Sequence, residues 1–242
     1  MKLRHTLISI PADGIWLDGK LSHAPDVRGL VLIVQPGASA AVHAREERIA
    51  AGLQHGGLAT LTLDLITRHE EQRDPDARFN VSRLGERVLA AADWIEHQPP
   101  LTALPLVIVG SGTASAAAIR AAVKAPTRFQ ALACLAGRPD LAGAGPLRSL
   151  RTPTLFVVGR DDPATALLRQ AFDMIPGDHD WRAAPGPEPE HMAPLQQDAS
   201  ATILAEWMAR HLPALPAPPP EPLPPQPESL PDMVDRPATD SI

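Results

Sequence analysis

Residues 105–119, PLVIVGSGTASAAAI, decide the fold of this 242-residue chain. The run from Leu106 to Val109 is continuously apolar, which is typical of a strand that is buried on both faces. Gly110-Ser111-Gly112 then predicts a tight turn, and the alanine-rich segment from Ala114 onward predicts a helix. A strand that passes so abruptly into a helix indicates an α/β protein.

The rest of the chain repeats this alternation of short apolar runs and helix-length segments. The pattern predicts an α/β fold, with a mostly parallel central sheet, helices on both faces and an N-terminal hairpin that turns at Asp13-Gly14. Residues 67–80 and 137–151 show no clear secondary structure, and long loops at the carboxyl ends of such strands usually wall a ligand site. The predicted strands are Leu7–Ile10, Ile15–Leu21, Leu30–Val34, Leu58–Leu65, Leu106–Val109, Leu132–Leu135, Thr154–Val158 and Asp180–Ala183. The predicted helices are about Arg45–Gln54, Val81–His97, Ala114–Lys124, Ala164–Met174 and Ser200–Leu212.

Composition excludes several classes of protein. The formal net charge is −6 and basic residues do not cluster, so neither a nucleic-acid partner nor an anionic membrane surface is expected. No apolar run approaches the roughly 18 residues of a membrane span, and the first residues do not form a signal sequence. The single cysteine, Cys134, excludes a disulfide framework. We therefore expect a cytoplasmic protein, without a cofactor or a metal site.

The last 30 residues differ from the rest. Glycine is absent after Gly186, and residues 213–242 are rich in proline, with runs such as Pro218-Pro219-Pro220. Such a composition favours an extended, disordered tail, and a role as a ligand for a protein partner stays open. We predict one domain over residues 1–212, followed by a tail over residues 213–242.

The turn in the opening stretch has the layout of a nucleophile elbow. In the pattern G-x-S-x-G, a sharp strand-to-helix turn presents a serine hydroxyl, and small residues flank it because neighbouring elements crowd the turn. Gly110 and Ala114 occupy the flanking positions, but the central position is Gly112. Glycine has no hydroxyl that could attack a carbonyl carbon.

At this point the chain resembles the dienelactone-hydrolase-like members of the α/β-hydrolase superfamily, including small hydrolases found beside phosphoribosyltransferase domains. The resemblance covers about Leu7 to Leu212. It rests on residues 10–14 (IPADG), 57–65 (GLATLTLDL), 78–80 (RFN), 91–94 (AADW), 137–142 (GRPDLA) and 153–155 (PTL).

The resemblance implies a catalytic Ser or Cys at the elbow, an acid after a later strand and a histidine in the last loop. Mapped onto this sequence, the acid is Asp162, a better match than Asp161, and the base is His191. The oxyanion would be bound by the amide of Thr113 and by the loop that contains Gln35 and Gly37. In that loop, however, Pro36 removes a backbone N–H group where a donor is expected.

Two functions of different classes follow. In the first, the chain is a degenerate hydrolase that binds a small acyl or carboxylate ligand, or a partner, and hydrolyses little or nothing. In the second, it is an active carboxylic-ester or lactone hydrolase, in which Ser111 or an activated water acts with His191 and Asp162. Residues beside the tip of a sharp turn point in other directions, and a displacement of about 1 Å can lower a rate on the order of 100-fold, which favours the first function.

Overall fold

The computed structural model describes residues 2–37, 40–135, 137–186 and 194–213. Within these ranges the chain alternates between strands and helices, as the sequence predicts. The strands are β1 (Arg4–Ala12), β2 (Ile15–His23), β3 (Leu30–Gln35), β4 (Ala59–Asp64), β5 (Leu106–Ser111), β6 (Ala131–Leu135), β7 (Thr154–Gly159) and β8 (His179–Ala184). The helices are α1 (Ala40–His55), α2 (Arg68–Arg73), α3 (Val81–Glu96), α4 (Ala114–Lys124), α5 (Ala144–Ser149), α6 (Thr165–Phe172) and α7 (Pro194–His211), with 3₁₀ turns at Ala77–Phe79 and Pro139–Ala142.

The eight strands form one sheet in the order β1-β2-β4-β3-β5-β6-β7-β8. The β1–β2 hairpin is antiparallel and β2 also pairs antiparallel with β4, whereas β3 to β8 run parallel. The parallel strands therefore end at one edge of the sheet, where ligand sites of α/β proteins lie. The predicted α/β architecture is confirmed.

The sheet is buried on both faces because its side chains alternate between two apolar clusters. In β3, Val31 and Ile33 pack in the cluster that contains residues of α1 and α7, and Leu32 packs in the cluster that contains residues of α3 and α4. This explains why the central strands are continuous apolar runs. No helix in the described part of the chain is long and apolar enough to cross a membrane.

The two stretches without a clear sequence signal are not irregular, and that prediction was wrong. Residues 67–80 contain α2, and residues 137–151 contain α5. In α2, the Thr67 side chain accepts a hydrogen bond from the Glu70 backbone, and the Glu70 side chain accepts one from the Thr67 backbone. This capping box satisfies N–H groups that a helix of six residues cannot satisfy internally.

A buried arginine anchors α2 to the domain. Arg87 of α3 is 1% exposed, and its guanidinium donates to the carbonyl of Leu65 at 2.6 Å and to the carboxylate of Glu70 at 2.5 Å. Burial alone would raise the pKa of the Glu70 carboxyl, but hydrogen bonds from Arg87 and Thr67 outweigh it and lower the pKa to about 2. The segment that follows β4 is thus fixed by charge as well as by capping.

The turn between β5 and α4 packs tightly against the loop that follows β6. A Cβ atom at Gly110 would lie 2.7 Å from the Ala114 carbonyl oxygen, and one at Gly137 would lie 2.6 Å from the Gly112 Cα. Gly112 and Gly137 also have positive φ angles, +56° and +97°. The Arg138 amide donates to the Gly112 carbonyl at 3.0 Å, which joins the two segments.

We expect the Arg87–Glu70 pair to make stability depend on pH. The folded-state pKa of Glu70 lies below its ordinary value of 4.5, so its contribution is complete above about pH 5 and is lost as the pH falls toward 2. At one pKa unit per 1.36 kcal/mol, the contribution is about 3 kcal/mol at most. Urea unfolding at pH 7 and pH 3 should show that Glu70→Gln lowers the free energy of unfolding more at pH 7. Glu86→Gln, which breaks an exposed pair with Lys124, is the matched control; an equal effect of Glu70→Gln at both pH values would contradict the prediction.

We expect Gly137→Ala to destabilise the domain severely. The new methyl group would overlap the backbone of Gly112, and the backbone at position 137 is left-handed, so the free energy of unfolding should fall by about 3 kcal/mol. Gly145→Ala is the control, because a Cβ atom there meets nothing within 4 Å. In α5 that change should be neutral or stabilising by up to about 1 kcal/mol. Equal melting temperatures for the two variants would show that the turn is not closely packed.

Candidate functional site

The turn between β5 and α4 presents Gly112 where a nucleophile elbow presents its reactive side chain. β5 ends at Ser111, Gly112 has φ of +56°, and α4 begins at Ala114. The left-handed backbone at the central residue is the strained geometry expected of such an elbow. The structure thus retains the turn, and the residue at its tip has no side chain.

Ser111, the residue before the tip of the turn, is buried and only 1% exposed. Its hydroxyl donates to Glu46 Oε1 at 3.0 Å and accepts from Arg45 Nη2 at 3.0 Å. Arg45 and Glu46, both in α1, form an ion pair at 2.6 Å with side chains that are 4% and 3% exposed. Ser111 therefore bonds to a buried ion pair, and no described histidine contacts it.

A cavity of about 170 Å³ lies beside the turn. Arg45 and Arg78 are the basic residues of its lining, and Glu71 is the acidic one. Nη1 of Arg45 has no hydrogen-bond partner among the described residues. Its lining comprises Pro36, Gly37, Val42, Arg45, Glu71, Arg78, Ser111 and Gly112. The Nη1 N–H group is itself buried, so Arg45 acts on the cavity through its charge, which Glu46 partly balances.

The structure places one of the predicted oxyanion residues in the lining of this cavity and a second one next to it. Gly37 lines it, and Thr113 begins the helix behind Gly112. The Thr113 hydroxyl donates to the Arg78 carbonyl at 2.6 Å, so it holds the wall of the cavity. Pro36 also lines the cavity and supplies no N–H group. The binding of an oxyanion by this loop stays a prediction.

The side chain of Gln35 lies elsewhere. It is 3% exposed, donates from Nε2 to Asp64 and lines a second cavity, between α1 and the sheet. His43 Nε2 lies 2.9 Å from the other Asp64 oxygen. Sequence reasoning missed Asp64 and His43 as site residues, and it also missed Arg45 and Glu46. The sequence did contain a signal for Asp64, because this residue is a polar one at the end of an apolar strand.

Asp162 lies after β7 and is 6% exposed. Its side chain accepts a hydrogen bond from the Ala164 amide at 2.7 Å, and its carbonyl accepts one from the Thr165 hydroxyl at 2.6 Å. Its described contacts are thus those of a turn that leads into α6, whose N-cap residue is Ala164. His191 lies outside the described residues, so the pairing of these two residues stays a prediction.

Neither a thiol nor a metal ligand set adds to the site. Cys134 is buried in β6, and burial raises the pKa of its thiol, so it cannot act as a nucleophile near neutral pH. Among the described residues, no group of three or more His, Cys, Asp or Glu is placed to hold a metal ion.

Comparison with known proteins gives two kinds of relative. No family model matches the chain. Two proteins of Mycobacterium tuberculosis, from strains CDC 1551 and H37Rv, are named as candidate phosphoribosyl transferases; each is 30% identical over 211 residues, which cover 87% of this chain and 47% of the relative. The chain therefore spans about half the length of these curated relatives.

Solved structures match over most of the chain. Est1E from Butyrivibrio proteoclasticus is 13% identical, with 85% of this chain and 98% of that chain covered and a TM-score of 0.69, which shows a shared fold alone. A dienelactone hydrolase from Anabaena variabilis is 30% identical, with 88% of this chain and 100% of that chain covered and a TM-score of 0.81. Because the likeness in sequence and structure extends over the full length of the Anabaena protein, the chain belongs to the dienelactone hydrolase family of α/β-hydrolases.

Proposed function

We propose that this chain is a catalytically degenerate member of the family that binds a small carboxylate or acyl ligand beside the elbow. The observation that carries the proposal is Gly112, which has the backbone geometry of a nucleophile position and no hydroxyl. Serine chemistry needs an oxygen at that tip. A ligand with an oxygen of its own can instead occupy the space that a serine side chain would fill.

The charges around the cavity favour an anion. Arg45 Nη1 is buried and has no described partner, and leaving such a donor unpaired costs about 1–3 kcal/mol. A carboxylate that reached this N–H, after a small shift of the buried side chain, would remove that penalty. Arg78 is exposed and also lines the cavity, so it adds a second positive charge nearby.

Glu71 sets the direction from which an anion enters. A Cβ atom at Gly37 would lie 3.2 Å from Glu71 Oε1, so this carboxylate lies against the loop after β3. Because like charges repel, a ligand carboxylate is directed away from Glu71 and toward Arg45. The acyl chain of the ligand then extends past Gly37 and Val42, which also line the cavity.

The alternative function, an active ester or lactone hydrolase, depends on Ser111. Its position in the cavity wall supports this alternative, but its hydroxyl is already held by Glu46 and Arg45. Because the hydroxyl donates to a carboxylate that is itself paired with an arginine, attack on a substrate would require a bond that stabilises the buried pair to be broken. We therefore favour binding over hydrolysis.

Restoring the hydroxyl should restore chemistry. We expect Gly112→Ser to form a covalent adduct with a fluorophosphonate and to raise hydrolysis of p-nitrophenyl butanoate by about 100-fold or more. The positive φ angle should lower stability by about 1–2 kcal/mol. Intact-mass spectrometry, with peptide mapping to position 112, is the measurement.

Gly112→Ala is the matched control, since it brings the same Cβ atom and the same backbone strain without a hydroxyl. Adding His191→Ala to Gly112→Ser should abolish the gain if His191 is the base. A stoichiometric adduct on Ser111 of the wild-type chain would contradict the proposal that the chain is catalytically degenerate, and it would support an active hydrolase. No adduct on a folded Gly112→Ser variant would show that the turn is not a working elbow.

Carboxylate binding should depend on both arginines of the cavity. In calorimetric titrations of the full chain with butanoate, we expect Arg78→Met and Arg45→Met each to weaken binding about tenfold or more, as befits a charged hydrogen bond of about 1.5–3 kcal/mol. Arg48→Met is the control, because Arg48 lies on the same helix but pairs with Asp198 at the surface.

Arg45→Met leaves Glu46 buried without its partner and can unfold the domain. If Arg45→Met unfolds, Arg78→Met decides the test, because Arg78 is exposed. Binding that is unchanged in Arg78→Met, or equally weakened in Arg48→Met, would contradict a carboxylate site at this cavity.

A further inference from the structure

The outer edge of strand β1 plays no part in the function proposed above. β1 lies at one end of the sheet and spans nine residues, Arg4–Ala12. Among the described residues only β2 pairs with it, so the backbone N–H and C=O groups on its outer edge make no ladder bond. Positions 5 to 9 carry no Lys, Arg, Asp or Glu, and Leu7 at their centre is 84% exposed. An uncharged, apolar edge of this kind is a surface on which another strand can pair.

The opposite edge of the sheet is protected against such pairing. β8 is shorter, with six residues, and it carries the ion pair of Asp180 and Arg182, whose charged atoms are 2.8 Å apart. Arg210 of α7 also lies 3.5 Å from the Asp180 carboxylate. Short length and charged side chains are the usual means by which an edge strand avoids a further strand. The central part of β1 has neither.

The hairpin turn determines which backbone groups of β1 face outward. Asp13 and Gly14 form a two-residue turn with φ angles of +53° and +75°, as in a type I′ turn, and Ala12 pairs with Ile15 across it. The two residues that flank such a turn exchange both backbone hydrogen bonds, and bonded and non-bonded pairs alternate from there along the strands. The even-numbered residues of β1 therefore bond to β2. The residues at positions 5, 7, 9 and 11 direct their backbone groups outward.

These outward groups fit a symmetric partner. An antiparallel strand pairs where outward residues meet outward residues. A second copy of β1, related by a two-fold axis at Leu7, meets this condition, because Leu7 faces Leu7 and His5 faces Ser9 on each side of the axis. Pro11, which has no N–H group, then lies outside the paired stretch. An axis at Ser9 would instead place Pro11 opposite Leu7 and lose a hydrogen bond.

The charges at the two ends of β1 favour the same antiparallel pairing. Lys2 and Arg4 lie at its start, whereas Asp13 lies in the turn and Asp18 lies opposite Ser9 on β2. Asp13 pairs with Arg83. The other three charged residues form no ion pair within the described part of the chain. An antiparallel copy brings the basic start of one strand toward the acidic end of the other, whereas a parallel copy would set the two basic ends side by side.

We propose that the outer edge of β1 is an interface for a second copy of this chain, whose β1 adds antiparallel and joins the two sheets into one. Leu7 of each copy packs against Leu7 of the other, which covers the most exposed large apolar side chain among the described residues. The interface uses none of the residues around the elbow. It is therefore independent of the function proposed above, and either proposal can fail without the other.

Sedimentation equilibrium of the full chain near neutral pH measures this association. We expect a monomer–dimer equilibrium with a Kd of about 10–100 μM, because an interface of one strand from each copy is small. A chain that stays monomeric up to about 300 μM, above the whole of that range, would overturn the proposal.

Leu7→Pro removes the central outward N–H group. The N–H of residue 7 does not bond to β2, and Pro11 shows that β1 accommodates a proline at an outward position. We expect Leu7→Pro to raise the Kd at least tenfold. Leu167→Ser, which replaces an exposed leucine on α6, is the control and should change the Kd less than twofold. If Leu7→Pro unfolds, Leu7→Lys decides, because it opposes like charges across the axis.

An unchanged Kd in the folded variant at position 7, or an equal rise in Leu167→Ser, would overturn the proposal. A cysteine cross-link tests the register in addition. Leu7→Cys places the two Cα atoms about 5.5 Å apart across the axis. Ser9→Cys places them about 14 Å apart, because each Ser9 faces His5 of the other copy.

At protein concentrations above the Kd, a short bismaleimide should therefore couple Leu7→Cys into a covalent dimer and leave Ser9→Cys monomeric. Cys134 is buried and should not react. Equal coupling of the two variants, or no coupling of Leu7→Cys, would overturn the proposed pairing.

Discussion

The close approach of Gly137 to the backbone of Gly112 is the constraint on which the site depends. There is no room for a Cβ atom at position 137, and the start of α4 leaves no room for one at Gly110. The turn is therefore fixed by backbone packing from both sides and not by the side chain at its tip. For this reason position 112 can lose its hydroxyl while the elbow keeps its shape, and the cavity beside it stays open for a ligand.

A single buried ion pair lies between the two cavities. Arg45 lines the cavity at the elbow, Glu46 lines the cavity along α1, and Ser111 bonds to both. Each partner has one buried polar atom without a hydrogen bond among the described residues, Nη1 of Arg45 and Oε2 of Glu46. Since a buried pair is strongly destabilised by the loss of either member, a change at either residue would disturb the walls of both cavities.

Most of the fold could be predicted from the sequence because buried parallel strands are continuous apolar runs, as in Leu30–Gln35. The short helix α2 was missed because its six residues show no apolar periodicity. Thr67 and Glu70 do have the spacing of a capping box, which was the signal for this helix. At the site, one motif was enough to predict that the turn after β5 contains Ser111, Gly112 and Thr113. The partners of Ser111 could not, since Glu46 is 65 residues away in the chain and its contact arises only from the packing of α1 on β5.

Membership of a hydrolase family does not by itself give this chain a hydrolase's chemistry. The core that defines the fold is made of apolar contacts on two faces of a sheet, and none of them involves the atom that attacks a substrate. A glycine at the tip leaves that core intact and lacks the hydroxyl on which serine chemistry depends. Ser111 cannot take over without release from Glu46 and Arg45, because both hydrogen bonds of its hydroxyl are made to this buried pair. The carboxylate site that we propose depends on what remains beside the elbow, a cavity lined by Arg45, Arg78 and Glu71.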